Sequence, residues 1–249
     1  MTFDALFFLA GLAAFLVGLS KGGLPAVGML AVPILSMAMS PVKAAVLLLP
    51  IFVISDVAGV WLYRHAYSAP NLKILIPAGI AGVGVGWATA SMVSDRAIML
   101  MIGLVGVGFC LNLWLRNQAT AVAQPPNTVK GWFWGMLAGF TSFISHAGAP
   151  PYQVYMLPQK LPKAAFAGTS TIVFAVINAA KIIPYQNLRP YSGESLHYAA
   201  LLVPFSLVGA VAGVYLTKRL ADRWFYRIVQ VSLFVVSVKL IADAVLMAH

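Results

Sequence analysis

Acidic residues are scarce in this chain. Six Asp and Glu are spread over 249 residues, and charged side chains of both signs make up only 9%. A soluble domain carries about 25% charged residues, so there is too little polar surface here to face water, and the implied solvent is lipid. Cysteine is almost missing: Cys110 stands alone in an apolar run. That excludes an internal disulfide framework and makes the thiol a small packing group. The four histidines, at 65, 146, 197 and 249, have no ligand spacing, and neither HExxH nor CxxC occurs. No metal and no cofactor are expected. No nucleophile stands in a pattern with a base, so an enzyme is not the expected reading.

What is abundant is apolar sequence, at 61% of residues with a mean hydropathy of +0.90. Ile74 to Ser94, Ala97 to Leu115 and Tyr198 to Thr217 are uncharged over 21, 19 and 20 residues. Each can cross a hydrocarbon core as a helix, which takes about 20 residues. The runs are continuous rather than alternating, which excludes a transmembrane barrel. The net charge of +10 comes from basic residues dispersed at segment ends, where they suit topology and anionic headgroups. No basic module for nucleic acid is present. Met1 to Asp4 has no basic n-region, so the first apolar stretch reads as a membrane segment rather than a cleaved signal.

Ten apolar segments follow one another, at roughly 3–20, 23–39, 43–63, 72–94, 97–115, 131–145, 148–159, 164–185, 197–217 and 224–247. The fold class expected is an all-α polytopic membrane protein. A polar linker with Pro125-Pro126 divides it into an N-terminal repeat (1–116), a linker (117–130) and a C-terminal repeat (131–249). The halves echo each other. Ser20–Pro25 matches Ser145–Pro150, Pro33 matches Pro158, and Pro77, Gly82, Gly86 and Asp95 match Pro204, Gly209, Gly213 and Asp222. Five segments per half is an odd number, so the repeats should lie inverted in the membrane. Alternating the segments puts ten basic residues, from Arg64 to Arg227, on one face against three or four, including Lys43, Arg96 and Arg189, on the other. The rich face should be cytoplasmic and both termini periplasmic, in a bacterial-type inner membrane.

The candidate site is the pair of repeated junctions. Each puts proline just inside a short segment, which suits a first helical turn, and these segments read as broken or re-entrant helices near the midplane. Exposed helix N-termini carry partial positive charge and free amides, and broken helices meeting there are a recurring transporter arrangement. Ser20, Lys21, Gly22, Gly23, Ser145, His146, Gly148, Tyr152, Gln153 and Asn178 are the substrate-binding candidates. Asp56, Ser170 and Lys181 are candidates for coupling or pore lining. Charges at depth are costly and are paired or functional. Two roles stay open for Asp56, proton coupling or a structural ion pair with Lys21. The reading expects Lys21→Ala and His146→Ala to weaken anion binding strongly and to change stability little.

Gly18–Pro25, its echo at Ser145–Pro150, and Pro33 followed by Pro41 with Ala44-Ala45 together resemble the TauE/SafE family, the sulfite exporter or toluene-sulfonate uptake permeases. The resemblance covers essentially the whole chain. It implies a secondary transporter of sulfur-containing anions such as sulfite, sulfoacetate or other organosulfonates. The partners implied are a small anion and the lipid bilayer, with a proton as coupling ion and a homodimer left open, and no nucleic acid. A passive anion channel is the alternative, followed by a membrane-embedded enzyme or assembly factor.

Overall fold

The computed structural model describes residues 3–39, 41–90, 92, 94–115, 123–188, 190 and 192–246. Residues 117–122 of the linker, Arg116, Arg189 and His249 lie outside them. Ten α-helices are described: α1 (Phe3–Lys21), α2 (Ala31–Ser36), α3 (Pro41–Tyr63), α4 (Ala69–Thr89), α5 (Asp95–Leu115), α6 (Thr128–Ser145), α7 (Ala149–Met156), α8 (Lys163–Leu188), α9 (Gly193–Arg219) and α10 (Asp222–Leu246). They follow the ten apolar segments one for one.

Six of them, α3, α4, α5, α8, α9 and α10, are long and apolar enough to cross a membrane. Their outer faces carry large apolar side chains in the open, among them Val57, Trp61 and Ile183, as a lipid-facing surface requires. The other four helices form two hairpins. A 3-10 stretch, Pro25–Leu30, leads into α2 and folds back along α1. In the second half α7 and the 3-10 turn Leu157–Gln159 fold back along α6. The returning limbs rise only about 21 and 18 Å, short of a core about 30 Å thick. They are too short to be full crossings, which leaves six helices long enough to cross and two hairpins.

Local chemistry ends these pieces where the sequence says it should. Asn127 caps α6 by accepting from the Lys130 amide at 2.9 Å, and Ser192 with Ser195 closes a capping box on α9. α6 stops because His146 takes the left-handed conformation, φ 54°, at its C-cap. Gly23, φ 119°, makes the corresponding turn after α1.

Glycine crossings hold the frame. α1 lies along α9, with Gly18 against the Ser206 carbonyl, Gly209 against that of Phe15, and Gly22 against Gly213. α4 lies along α6, with Gly139 against the Gly79 carbonyl, Gly82 against that of Met136, and Gly86 against Phe143. In both pairs the contacts advance together, so the paired helices run parallel. The small residues bring the backbones into contact, which is how helices associate in lipid. α5 pairs with α10. At the centre α3 packs on α8. Those two are the most buried crossings, 44% and 61%.

Candidate functional site

Side chains at helical spacing on the central helices converge on one point. Phe52 and Asp56 are one turn apart on α3. Thr171, Phe174, Asn178, Lys181 and Tyr185 recur every three or four residues on α8, so they share a face. Lys21 arrives at the end of α1, and Ser142 and His146 at the end of α6.

The charged centre is a buried ion pair. Lys21 Nζ lies 2.7 Å from Asp56 Oδ1, with both side chains about 95% buried. Asn178 Nδ2 donates to the other carboxylate oxygen at 2.7 Å. The Lys21 ammonium also sits over the Phe52 ring, 4.9 Å from its centroid. Of the two roles left open for Asp56, the ion pair with Lys21 is thus present.

Lys181 is fully buried, and among the described residues no carboxylate pairs with it. Its ammonium donates to the Ser142 carbonyl at 3.2 Å, to Ser142 Oγ at 3.1 Å and to His146 Nδ1 at 3.3 Å. With Lys181 as an ammonium, which has no lone pair, His146 Nδ1 accepts and the ring proton sits on Nε2. Nε2 faces the Tyr185 hydroxyl at 3.3 Å, and that hydroxyl donates to the Phe143 carbonyl at 2.9 Å. The imidazole lies flat on Phe52, 5.3 Å between centroids and 10° between planes. Three contacts therefore fix this ring.

Two cavities meet there. A small one of ≈ 30 Å³ is lined by Ser20, Lys21, Gly28, Phe52, Ser142, His146, Ser170, Thr171 and Asn178, among others. That is room for about two waters. A vestibule of ≈ 660 Å³ reaches His146 from the end of the bundle where α3 and α5 begin and α4 and α10 finish. His146 and Met29 line both and form the wall between them. Beyond the small cavity, toward the other end, Tyr63 and Thr217 are buried. There the Gly22 carbonyl accepts from the Tyr63 hydroxyl at 2.6 Å and from the Thr217 hydroxyl at 2.8 Å.

The donors that face the small cavity are side chains. Ser142 Oγ already accepts from Lys181, so its own proton is free to donate. Lys21 uses one proton on Asp56 and has two more. Asn178 keeps its second amide proton. The helix ends contribute less than the sequence suggests. Pro150 and Pro151 occupy the first turn of α7 and have no amide hydrogen. The Gly22 and Gly23 amides are already bonded, to Gly18 and Ser20 carbonyls.

Of the predicted site residues, Ser20, Lys21, His146, Ser170 and Asn178 line the small cavity, and Asp56 and Lys181 stand directly behind it. Ser145 faces the vestibule instead. Gly22 and Gly23 pack on α9, and Gly148 on the Ala138 carbonyl and Phe174. Tyr152 is buried among Phe166 and Phe174 and donates to the Phe166 carbonyl. Gln153 is buried with neither amide atom bonded. None of these last five lines the cavity. Ser142, Phe52, Thr171 and Tyr185 are additions. Their signal was the helical spacing from Asp56, His146 and Asn178.

The ion pair also corrects an expectation. Lys21→Ala strips a buried carboxylate of its cation, which costs about 3–5 kcal/mol. It cannot leave stability unchanged.

With Lys21, Lys181 and Asp56 all in their ordinary charge states, the buried centre would carry a net charge of +1. The other acids with described side chains lie elsewhere, Asp222 beside Lys163 and Asp243 beside Lys239. Among the described residues no group of His, Cys, Asp and Glu could hold a metal. A family model described as sulfite exporter TauE/SafE matches residues 9–240. Comparison with curated proteins and with solved structures gives no match.

Proposed function

We propose, for a chain that belongs to the TauE/SafE family of membrane transporters, that it carries a small sulfur-containing anion, sulfite or an organosulfonate, through the cavity between its two halves. As a member of that family it is a multi-pass transporter and not an enzyme. The observation that carries the substrate reading is the uncompensated charge at the centre. A buried cation is costly unless it is paired, and Lys181 has only neutral acceptors. An oxyanion supplies the missing charge. Its oxygens accept from Lys21, Ser142 and Asn178, where charge-assisted bonds are the strong ones. The small cavity suits one oxyanion head, and the vestibule beyond His146 has room for an organic tail.

A vestibule that stops at His146, with the far end tied by Tyr63 and Thr217, supports a carrier over an open channel. The two parallel glycine crossings support a duplicated architecture with inverted halves. In it α1 and α9 correspond to α6 and α4. On that arrangement the arginine- and lysine-rich face is cytoplasmic in a bacterial-type inner membrane, both termini are periplasmic, and the vestibule opens outward.

Lys181→Met tests this reading. It removes an unpaired buried charge, and replacing such charges by apolar groups is often neutral or stabilising. The thermal midpoint in detergent should hold or rise. Anion binding should fall about tenfold or more, a loss of about 1.4 kcal/mol or more, since the centre loses the positive charge that the anion balances. The assay is a proteoliposome panel of sulfite, thiosulfate, sulfoacetate, isethionate and acetate. Wild-type uptake of the sulfur anions that survives intact in the folded variant would refute the site.

A further inference from the structure

The charge count at the centre also specifies how a substrate is coupled. This rests on the transport reading above. In their ordinary charge states Lys21, Asp56 and Lys181, which the structure brings together, sum to +1 when no anion is bound. A monoanion brings that sum to zero. A dianion brings it to −1, and a net charge held in so dry a site is strongly unfavourable.

We propose that a dianion binds together with one proton, taken up by Asp56, whereas a monoanion binds with none. The step balances. The Asp56 carboxylate accepts one proton and becomes a neutral acid. Its contact with Lys21 Nζ, 2.7 Å in this structure, is released, and the Lys21 ammonium turns to the substrate oxygens instead. The centre is then two cations and a dianion, with zero net charge. Asn178, which donates to Asp56 Oδ2, can turn its amide and accept from the new acid hydrogen through its own oxygen.

Geometry singles out Asp56 for the proton. Of the groups facing it, Lys21 on α1 and Lys181 on α8 enter the charge count above as ammonium groups, and Asn178 does not titrate. His146 at the end of α6 has both nitrogens engaged, by Lys181 and Tyr185. No titratable side chain of α2 or α9 with a described interaction reaches it. A dianion competes with the carboxylate for Lys21, so Asp56 is the group whose partner the substrate removes.

The experiment uses the full chain in proteoliposomes with the membrane potential held at zero, thiosulfate as the dianion and methanesulfonate as the monoanion. With the outside one pH unit more acid, thiosulfate should accumulate about tenfold inside, and methanesulfonate should only equilibrate. Asp56→Asn raises the empty centre to +2, so the dianion alone neutralises it. That variant should take up thiosulfate with no response to the pH gradient. Thiosulfate that merely equilibrates in the wild type would overturn the proposal, as would methanesulfonate that accumulates equally. The comparison of the two anions in the unaltered protein decides on its own, whether or not Asp56→Asn folds. Uptake of neither anion would overturn the transport reading instead.

Discussion

A methyl group added at Gly82 should damage the protein, and the same methyl added two residues later should not. A Cβ at Gly82 would stand 2.0 Å from the Met136 carbonyl oxygen and 2.8 Å from the Phe140 nitrogen, both backbone atoms of α6. Backbone cannot rotate away as a side chain can, so α4 and α6 must part by roughly 1 Å or more. Overpacking of this kind costs about 1–3 kcal/mol. At about 2–4 °C per kcal/mol for a chain of this length, the midpoint should fall by several degrees. At Gly84 a Cβ meets nothing within 4 Å. There alanine removes only the conformational freedom of glycine, a gain of about 0.5–1 kcal/mol in a helix interior. Thermal melts of Gly82→Ala and Gly84→Ala in the same detergent should move in opposite directions. Gly209→Ala, 2.2 Å from the Phe15 carbonyl, should behave like Gly82→Ala. A Gly82→Ala protein as stable as the parent would refute the close parallel crossing of α4 and α6, and with it the frame that positions the site.

Reporter fusions at His249 and within 117–129 should lie on opposite sides of the membrane, the first outside; finding both on one side would exclude the proposed topology. At the end opposite the vestibule, Tyr63→Phe with Thr217→Val removes two bonds to the Gly22 carbonyl, each worth about 0.5–1.5 kcal/mol. A cysteine placed at Thr171 should then react with a maleimide from the cytoplasmic side roughly ten- to a hundredfold faster; an unchanged rate would show that these bonds do not hold that end shut.

The fold was largely legible because lipid leaves few choices. Uncharged runs of about 20 residues must be helices that satisfy their own backbone. Prolines at 25 and 150 marked where the short limbs begin. The shortness of the limbs was legible too, from their residue counts against the thickness of the core; their folding back along α1 and α6 was not, because a residue count does not say which helix a limb packs on. The site was legible where charge sits in an apolar run. Asp56, Asn178 and Lys181 were conspicuous for that reason and do meet. Ser142 and Phe52 carry no such mark, since a serine or phenylalanine in a membrane helix is ordinary. Tyr152 and Gln153 were chosen by their nearness to Pro150, but a helix turns 100° per residue, and theirs point away from the cavity.

The junction motif misled in a further, instructive way. Matching Ser20–Pro25 to Ser145–Pro150 sets His146 opposite Lys21. In the inverted-halves architecture proposed above, the helix contacts set a different register. Gly82 and Gly209 are 127 positions apart on one side of the crossings, and Gly18 and Gly139 are 121 apart on the other. The residue 121 positions after Lys21 is Ser142, and α6 continues about one turn beyond the depth at which α1 stops. The second half therefore has no lysine where the first has one. Its cation comes from α8, and Lys181 reaches across to donate to Ser142, the residue in register with Lys21. The extra turn also carries His146 out to the wall of the vestibule. The same two helix ends that would be equivalent by motif are thus unlike in charge and in depth. That asymmetry lets one end stand open at the imidazole while the other is tied by Tyr63 and Thr217. A transporter that moves between two states needs its halves to be able to differ in this way at any one moment.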